Sequence, residues 1–432
     1  MSVTYIDRPP RIQPELPEGE VEIPNPPDKE EKGGSPIVHA LLPLLTIFGY
    51  VIVAATGQGR NLMLMIPMAL SVVGTTVFAF ISYNKQKGGG KEKELAYAQR
   101  LADLRRDMKA SHDMQRIFYL YNYPDPGTIL KIASGEEHSR SGTRLWERRP
   151  TDQDFGMIRL GIGTRPSTVV YKVSGLANND EDPQMRDATQ LADASLFVPD
   201  VPITIPLRPD PTEQDKKVKA DDEEEKKPPA VPRHAIGIAG DNKAKVSDFV
   251  RAIAVHFTAF HAPIDARLYV VGTPEARKRW EWAVWLPHTN TRTERYVGDQ
   301  MCFDDAGVTP FWDGIRDELD KRRLRLQDKD ETGGDVTLPF ILVVVDKLDV
   351  TEESPLYTAE TEAAASIIMQ RGPELGAAII FVVPDATKVP SDCQAVIEVE
   401  PIGSEMAFRY AEVGLNSNRY IGTADTLDAV RA

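Results

Sequence analysis

Cysteine is nearly absent from this chain. Its 432 residues include two, Cys302 and Cys393, far apart and outside any CxxC or Cys/His spacing, which argues against a disulfide framework or a metal centre. Each reads as a small buried apolar residue in a reducing compartment. Positive charge is not in excess either. The formal net charge is -14 and the pI about 5.1, so the totals give no direct indication of a broadly basic, nucleic-acid-binding surface. A cleaved signal peptide also fits poorly, because about three dozen polar, proline-rich residues stand where a basic segment and a short apolar region belong.

Apolar sequence is plentiful, at 41% of residues, enough for two or three domains with real cores. Two long runs concentrate it. Ile37 to Ala55 and Leu62 to Tyr83 flank a short polar turn, and each has the length of a bilayer span, so a two-helix transmembrane hairpin is expected over 37–83. A buried hairpin in a soluble core is the competing reading, but soluble helices of this length carry a polar face. Lys85, Lys87, Lys91, Lys93, Arg100, Arg105 and Arg106 follow the second run, whereas the turn offers only Arg60. That bias places both termini in the cytosol, with the bilayer of the cytoplasmic membrane as the first partner.

Around this hairpin the chain divides by composition. Residues 1–36 are proline-rich and acidic and read as a flexible cytosolic lead-in. Residues 84–127 read as a helical stalk. It passes the hinge-like Gly88-Gly89-Gly90, carries apolar residues at Leu95, Ala98, Leu101, Leu104, Met108, Ile117 and Leu120, and ends by turn chemistry at Tyr123-Pro124-Asp125-Pro126-Gly127. Residues 128–208 read as a small α+β domain. Its Leu160-Gly161-Ile162-Gly163-Thr164 run lacks a lysine and a following helix, so it is expected to be a tight strand turn and not a phosphate loop. Residues 209–233 are charged and proline-bounded, a disordered linker or insertion.

From 234 to 432 near-continuous apolar runs alternate with helical segments, the pattern of a mostly parallel sheet covered on both faces and the layout of a P-loop NTPase. The fold class is therefore α/β. A phosphate cradle needs glycines for close backbone approach, a lysine for the β and γ phosphates, and a hydroxyl for magnesium. Counting from Gly237, Lys243 falls at the lysine position, but Asn242 replaces the second glycine and Ala244 removes the hydroxyl. Counting from Gly240, Lys245 and Val246 fall where glycine and lysine belong. Asp346 ends the run FILVVVD as a magnesium-orienting aspartate would, and Lys347 stands where many ATPases place a glutamate. Gly237, Gly240, Lys243 and Asp346 are thus positions of a degenerate nucleotide site, with no catalytic residue and no metal centre. Trp146, Arg148 and Arg149, and separately Trp280, Trp282 and Trp285, are candidate packing or interface positions, since indole offers a large apolar face and arginine stacks on it or pairs with carboxylates.

Arg144-Leu145-Trp146-Glu147-Arg148-Arg149-Pro150, Asp154-Phe155 and Ile158-Arg159-Leu160-Gly161-Ile162-Gly163 resemble a signature of the EccC-type proteins of type VII secretion, in the FtsK/SpoIIIE group of membrane-anchored motor ATPases. Asp7-Arg8-Pro9-Pro10-Arg11, Pro14-Glu15-Leu16-Pro17, Trp280-Glu281-Trp282 and Trp285-Leu286-Pro287-His288 resemble it in the same order. The resemblance implies a degenerate ATPase-like domain that precedes domains with intact motifs, ring assembly as a homo-oligomer, and folded helical proteins as cargo. The chain stops at Ala432, before any such domain, as a truncated, split or naturally short version would. The expected function is a membrane-anchoring, assembly or coupling subunit beside intact ATPase modules and other secretion-machine membrane subunits, without catalysis by this chain alone and with no cofactor firmly expected. The alternative is an active translocase subunit that binds ATP and magnesium through an unusual or shared site. A third is a scaffold unrelated to secretion.

Overall fold

A computed structural model describes residues 8–27, 62–139, 142–174, 182–208, 233–291, 297–332, 338–351, 354–357, 359–414 and 419–431. In chain order the elements are strand β1 (Gly19–Ile23), helix α1 (Leu62–Asn122), α2 (Pro126–Ser134), β2 (His138–Ser139), β3 (Gly142–Thr143), β4 (Met157–Pro166) and β5 (Val169–Val173). Then come α3 (Pro183–Ala194), β6 (Phe197–Pro206), β7 (Ala235–Ala239), α4 (Lys243–Phe260), β8 (Ala266–Gly272) and β9 (Met301–Cys302). Helix α5 (Asp305–Thr332), β10 (Phe340–Asp346), α6 (Ala359–Leu375), β11 (Ala377–Val383), β12 (Ala395–Ile402), β13 (Glu405–Glu412) and β14 (Arg419–Ala424) complete the chain. Two compact units result: Met1–Leu16, Met114–Pro166 and Phe197–Ala432 form one, Pro17–Asp113 and Ser167–Leu196 the other.

The larger unit holds a ten-stranded sheet in the order β6-β4-β14-β13-β12-β7-β11-β10-β8-β9. From β12 to β9 neighbouring strands are parallel, and from β12 back to β6 they are antiparallel. Every residue of β7, β10 and β11 is buried, because a parallel strand roofed by helices on both faces has no side to give to water. Side chains alternate across β10: Leu342 and Val344 join the core beneath Phe249, Ile253 and Phe257 of α4, while Ile341, Val343 and Val345 join the core beneath α5 and α6 with Trp312, Ile315 and Ile368. Each such aliphatic side chain contributes about 1.5–3 kcal/mol by leaving water.

Strands β4 and β6 belong to this sheet, not to a separate small domain within 128–208. The strand β14 supplies the reason, since it pairs with β4 at Gly163, Ile162 and Gly161 and satisfies an edge that local pattern leaves open. The LGIGT run is accordingly strand with bulges at Arg159/Gly161 and Gly163/Arg165, not a turn. A Cβ on Gly161 would lie 1.9 Å from the Thr423 carbonyl oxygen, so close backbone approach accounts for that glycine.

In the smaller unit β1 pairs in parallel with β5, and Ile23, Tyr97, Leu101, Leu104, Val169, Tyr171, Ala188 and Leu191 form its core. The lead-in is therefore not simply flexible: an edge partner orders its Gly19–Ile23 stretch, and the Tyr97 hydroxyl donates to the Pro24 carbonyl at 2.9 Å. On α1 the buried stripe runs through Tyr97, Leu101 and Leu104, whereas Leu95, Ile117 and Leu120 are exposed. Helix α1 ends at Asn122, and Asp125 caps α2 by accepting from the amides of Gly127 and Thr128.

Among the described residues no helix is long and apolar enough to cross a membrane. The two-span hairpin, and with it the placement in the cytoplasmic membrane with both termini in the cytosol, is corrected accordingly. The second apolar run forms the opening part of α1, a 61-residue helix that continues unbroken through Gly88-Gly89-Gly90 and the charged residues beyond. An apolar run alone does not tell a span from the start of a longer helix, and glycine tolerates helical dihedrals at about 1 kcal/mol each, so three in a row need not make a hinge. The run 37–55 lies outside the described residues.

Candidate functional site

At the end of β7 the backbone turns into α4 over Gly240, Asp241 and Asn242 alone. Asn242 caps the helix, its side chain accepting from the Lys245 amide at 3.2 Å, and its carbonyl accepts from the Val246 amide at 2.9 Å. The Gly240 amide donates to the Val383 carbonyl at 3.3 Å. Three amides of this turn, those of Gly240, Lys245 and Val246, are thus committed to the protein. The two glycines have packing reasons instead: a Cβ on Gly237 would meet the Val389 side chain at 2.4 Å, and one on Gly240 would meet the Val399 carbonyl oxygen at 2.6 Å. Lys243, half-exposed, reaches Asp349 at 2.7 Å. Ser247, the nearest downstream hydroxyl, donates to the Lys243 carbonyl.

Asp346 is 2% exposed and surrounded by donors. Arg279 meets it with a two-pronged fork, Nη2 at 2.9 Å from Oδ1 and Nε at 3.2 Å from Oδ2. The Trp280 indole donates to Oδ2 at 2.9 Å, and the Leu348 amide to Oδ1 at 3.2 Å. Arg279 also donates to Asp349, so Lys243, Asp349, Arg279 and Asp346 form one chain of alternating charge. Burial works against the Arg279 cation, yet the Asp346 charge and the bonds to both carboxylates outweigh it and raise its pKa. Burial likewise opposes ionised Asp349, but the bonds from Lys243 and Arg279 leave its pKa lowered. The space that remains beside Asp346, lined by Ser247, Val250, Arg279, Trp280 and Trp282, is a cavity of about 10 Å³, at the limit of what holds one water.

Sequence reasoning found Asp346, Lys243 and Trp280 but missed Arg279 and Asp349. The signals were present: an arginine directly before the cluster's first tryptophan, and a second aspartate three residues after Asp346. Lys347 lies outside this site. Successive residues on a strand face opposite ways, and Lys347 lines the α6 side of the sheet with Trp312, Leu356 and Phe381.

The other expected positions disperse. Trp280 is buried and stacks on half-buried Trp282 at 6.1 Å, while Trp285 is 73% exposed. Trp146 meets His288 edge-on at 6.3 Å. Arg148 is fully buried, stacked over Phe260 at 4.4 Å and Tyr123 at 4.9 Å, with Nη2 donating to the Asn122 carbonyl at 2.8 Å and Nε 3.1 Å from Asp154. Arg149 stays on the surface, its side chain donating to the Arg8 carbonyl. Arg11 also reaches this cluster and forks onto Asp154 at 2.8 and 2.9 Å. Burial pushes against the Asp154 charge, but the Arg11 bonds and the Arg148 charge hold its pKa at about 2. Three buried histidines stand close by. His261 accepts from the Gly156 amide at 2.8 Å and shares its other nitrogen with the Phe257 carbonyl; His288 bonds the His261 carbonyl at 2.7 Å. Burial and neighbouring arginines push His256 and His261 well below the usual histidine pKa, and burial takes His288 down to about 4. Among the described residues no group of His, Cys, Asp and Glu is arranged to hold a metal.

Fold and site together define a mixed α/β protein on a large, partly parallel sheet, with a filled space beside the strand-end carboxylate Asp346. No protein-family profile matches the chain. It is 27% identical over 309 residues to the ESX secretion system protein EccC of Thermomonospora curvata, an alignment covering 70% of this chain and 21% of that protein. It is 23% identical over 381 residues to the EccC of Geobacillus thermodenitrificans, covering 87% and 23%. Among solved structures, the cytoplasmic domain of the Thermomonospora curvata type VII secretion ATPase EccC overlaps 65% of this chain and 30% of its own with TM-score 0.39 and 12% identity. The chain is a relative of the EccC-type components of type VII secretion systems. It spans roughly a fifth of the length of these two curated relatives.

Proposed function

We propose that this chain is the assembly and coupling part of a type VII secretion machine, with an ATPase-like domain that neither binds nor hydrolyses nucleotide. Its relatives in such systems support the first half of the reading. The second half rests on one observation: Arg279 and Trp280 saturate the Asp346 carboxylate, leaving about 10 Å³ beside it. A magnesium ion would have to displace a buried guanidinium fork. What remains for such a domain is a rigid body that docks against intact ATPase modules and other secretion subunits and passes on their motion, in a homo-oligomer within the larger complex. Isothermal titration calorimetry of the chain with ATP and magnesium tests this. No saturable heat is expected; micromolar, magnesium-dependent binding lost in Lys243→Ala and Asp346→Asn would overturn it and favour an active translocase subunit.

A further inference from the structure

In the smaller unit β1 and β5 form a two-stranded ribbon, so among the described residues each has one edge without a strand beside it. The Gly19 amide donates to the Thr168 carbonyl at 3.1 Å and the Ser174 amide to the Ile23 carbonyl at 3.0 Å, with Gly19 opposite Val169 and Ile23 opposite Val173. Backbone groups alternate in direction along a strand. Gly19, Val21 and Ile23 therefore turn their N–H and C=O to β5, whereas Glu20 and Glu22 turn theirs away. On the β5 side the outward amides are capped: that of Tyr171 donates to the Ser195 hydroxyl at 3.0 Å, and that of Val169 to the Ser167 hydroxyl at 3.3 Å. On the β1 side the outward backbone groups of Glu20 and Glu22 meet no such cap among the described residues. Both side chains are exposed, as is Glu18 just before the strand, while Val21 and Ile23 turn to the core with Tyr97 and Leu101. Lys172 of β5 reaches Glu20 at 2.6 Å, an exposed pair of small strength. The local charge is thus Glu18, Glu20 and Glu22 against Lys172, and it is acidic.

We propose that the outer edge of β1 is a docking site for an extended, basic segment of a partner protein, which joins the ribbon as a third strand. When a peptide adds to an open edge, main-chain hydrogen bonds give affinity and alternate side chains give selection. Glu20 and Glu22 offer two donors and two acceptors for that purpose. Two strands alone are marginal, and a third strengthens the ribbon. The glutamates decide the partner. Side chains of an added strand alternate between the faces. One set meets Glu20 and Glu22 on the water side, where lysine or arginine is favoured; the other continues the face of Val21 and Ile23, where an apolar residue is favoured. A second copy of this chain fits badly, because two β1 edges would set glutamates against glutamates. The site lies within the smaller unit and does not depend on the nucleotide reading of Asp346.

Fluorescence anisotropy of a labelled synthetic peptide alternating lysine and valine, titrated with the full chain, tests this. Saturable binding with a dissociation constant of about 100 μM or below is expected, weakened at least about threefold when salt is raised to about 0.5 M. A peptide alternating glutamate and valine is expected not to bind. The lysine peptide with its backbone amides N-methylated is expected to bind at least about tenfold more weakly, for want of donors. Glu20→Pro removes an outward N–H and leaves the bonds to β5 in place, since proline is tolerated where a strand N–H faces water. It is expected to weaken binding at least about fivefold more than Glu20→Ala does. Glu20→Lys combined with Glu22→Lys is expected to reverse the choice, so that the glutamate peptide binds and the lysine peptide does not. Circular dichroism establishes that each variant is folded. Binding indifferent to peptide charge, binding unchanged in Glu20→Pro or on methylation, or no saturable binding up to about 1 mM would each overturn the proposal. Self-association of the chain that is lost in Glu20→Pro would overturn it too, by assigning the edge to a second copy.

Discussion

Asp346 and Lys347 are neighbours in the chain and end up in opposite circumstances. On the α4 side, Asp346 is held by four donors and the surrounding space is filled. On the α6 side, Lys347 borders a cavity large enough for a ligand. The difference teaches that the space beside the strand-end carboxylate is not left vacant. The protein's own arginine and tryptophan filled it, while the open space lies across the sheet.

The comparison breaks most visibly at Arg279. Arg279→Ala leaves the Asp346 carboxylate buried beside fewer donors and is expected to destabilise the fold by about 3–5 kcal/mol, as removal of one partner of a buried pair does; urea unfolding measures it. A loss below about 1 kcal/mol would mean that water or relaxation replaces the fork and that the face is not closed.

Acid sharpens the contrast next, because the α4 side also holds His256 and His261, with His288 bonded to the His261 carbonyl. The fold keeps these rings neutral. The unfolded chain takes up a proton on each near pH 6.5, whereas folded His288 does so only near 4, so between those values the unfolded state binds more protons and stability falls as pH falls. His288 alone accounts for about 3 kcal/mol over that window. Urea midpoints measured from pH 7 down to pH 4 are expected to drop, and less steeply in His288→Gln. A flat profile would show that the ring is hydrated.

Trp280→Phe keeps the ring and removes the donor to Asp346, with an expected loss of about 1.5–3 kcal/mol. Lys243→Ala has the smallest effect, below about 1 kcal/mol, because an exposed pair with Asp349 is worth little. In a working phosphate loop the same change would abolish nucleotide binding, so the size of the Lys243 effect on stability and on ATP titration separates the two kinds of site.

Much of the parallel half of the sheet was legible in the sequence. FILVVVD and AAIIFVV read as strands buried on both faces, and so they are. Asp125 read as a turn residue, and its side chain serves the next two amides. Other features lay beyond local pattern. The pairing of β4 with β14 joins residues about 260 positions apart, and the parallel pairing of β1 with β5 about 150, and strand alternation names a face without naming a partner. The apolar run at Leu62 suggested a membrane span, although α1 runs far past it. Leu95, Ile117 and Leu120 matched the helical period yet face water, because period alone does not say how far along a helix its packing partners extend.

Sequence alone decided that this chain has buried parallel strands and cannot complete a phosphate-loop motif, since both follow from which side chains are present and how they are spaced. Tertiary structure alone decided that Arg279 closes the space at Asp346, that Lys347 faces the other way, and that β4 belongs to the large sheet. The physical reason is distance along the chain. Apolar period and motif spacing act between neighbours, whereas a buried charge takes its partner from whatever segment the packed fold brings within hydrogen-bond reach.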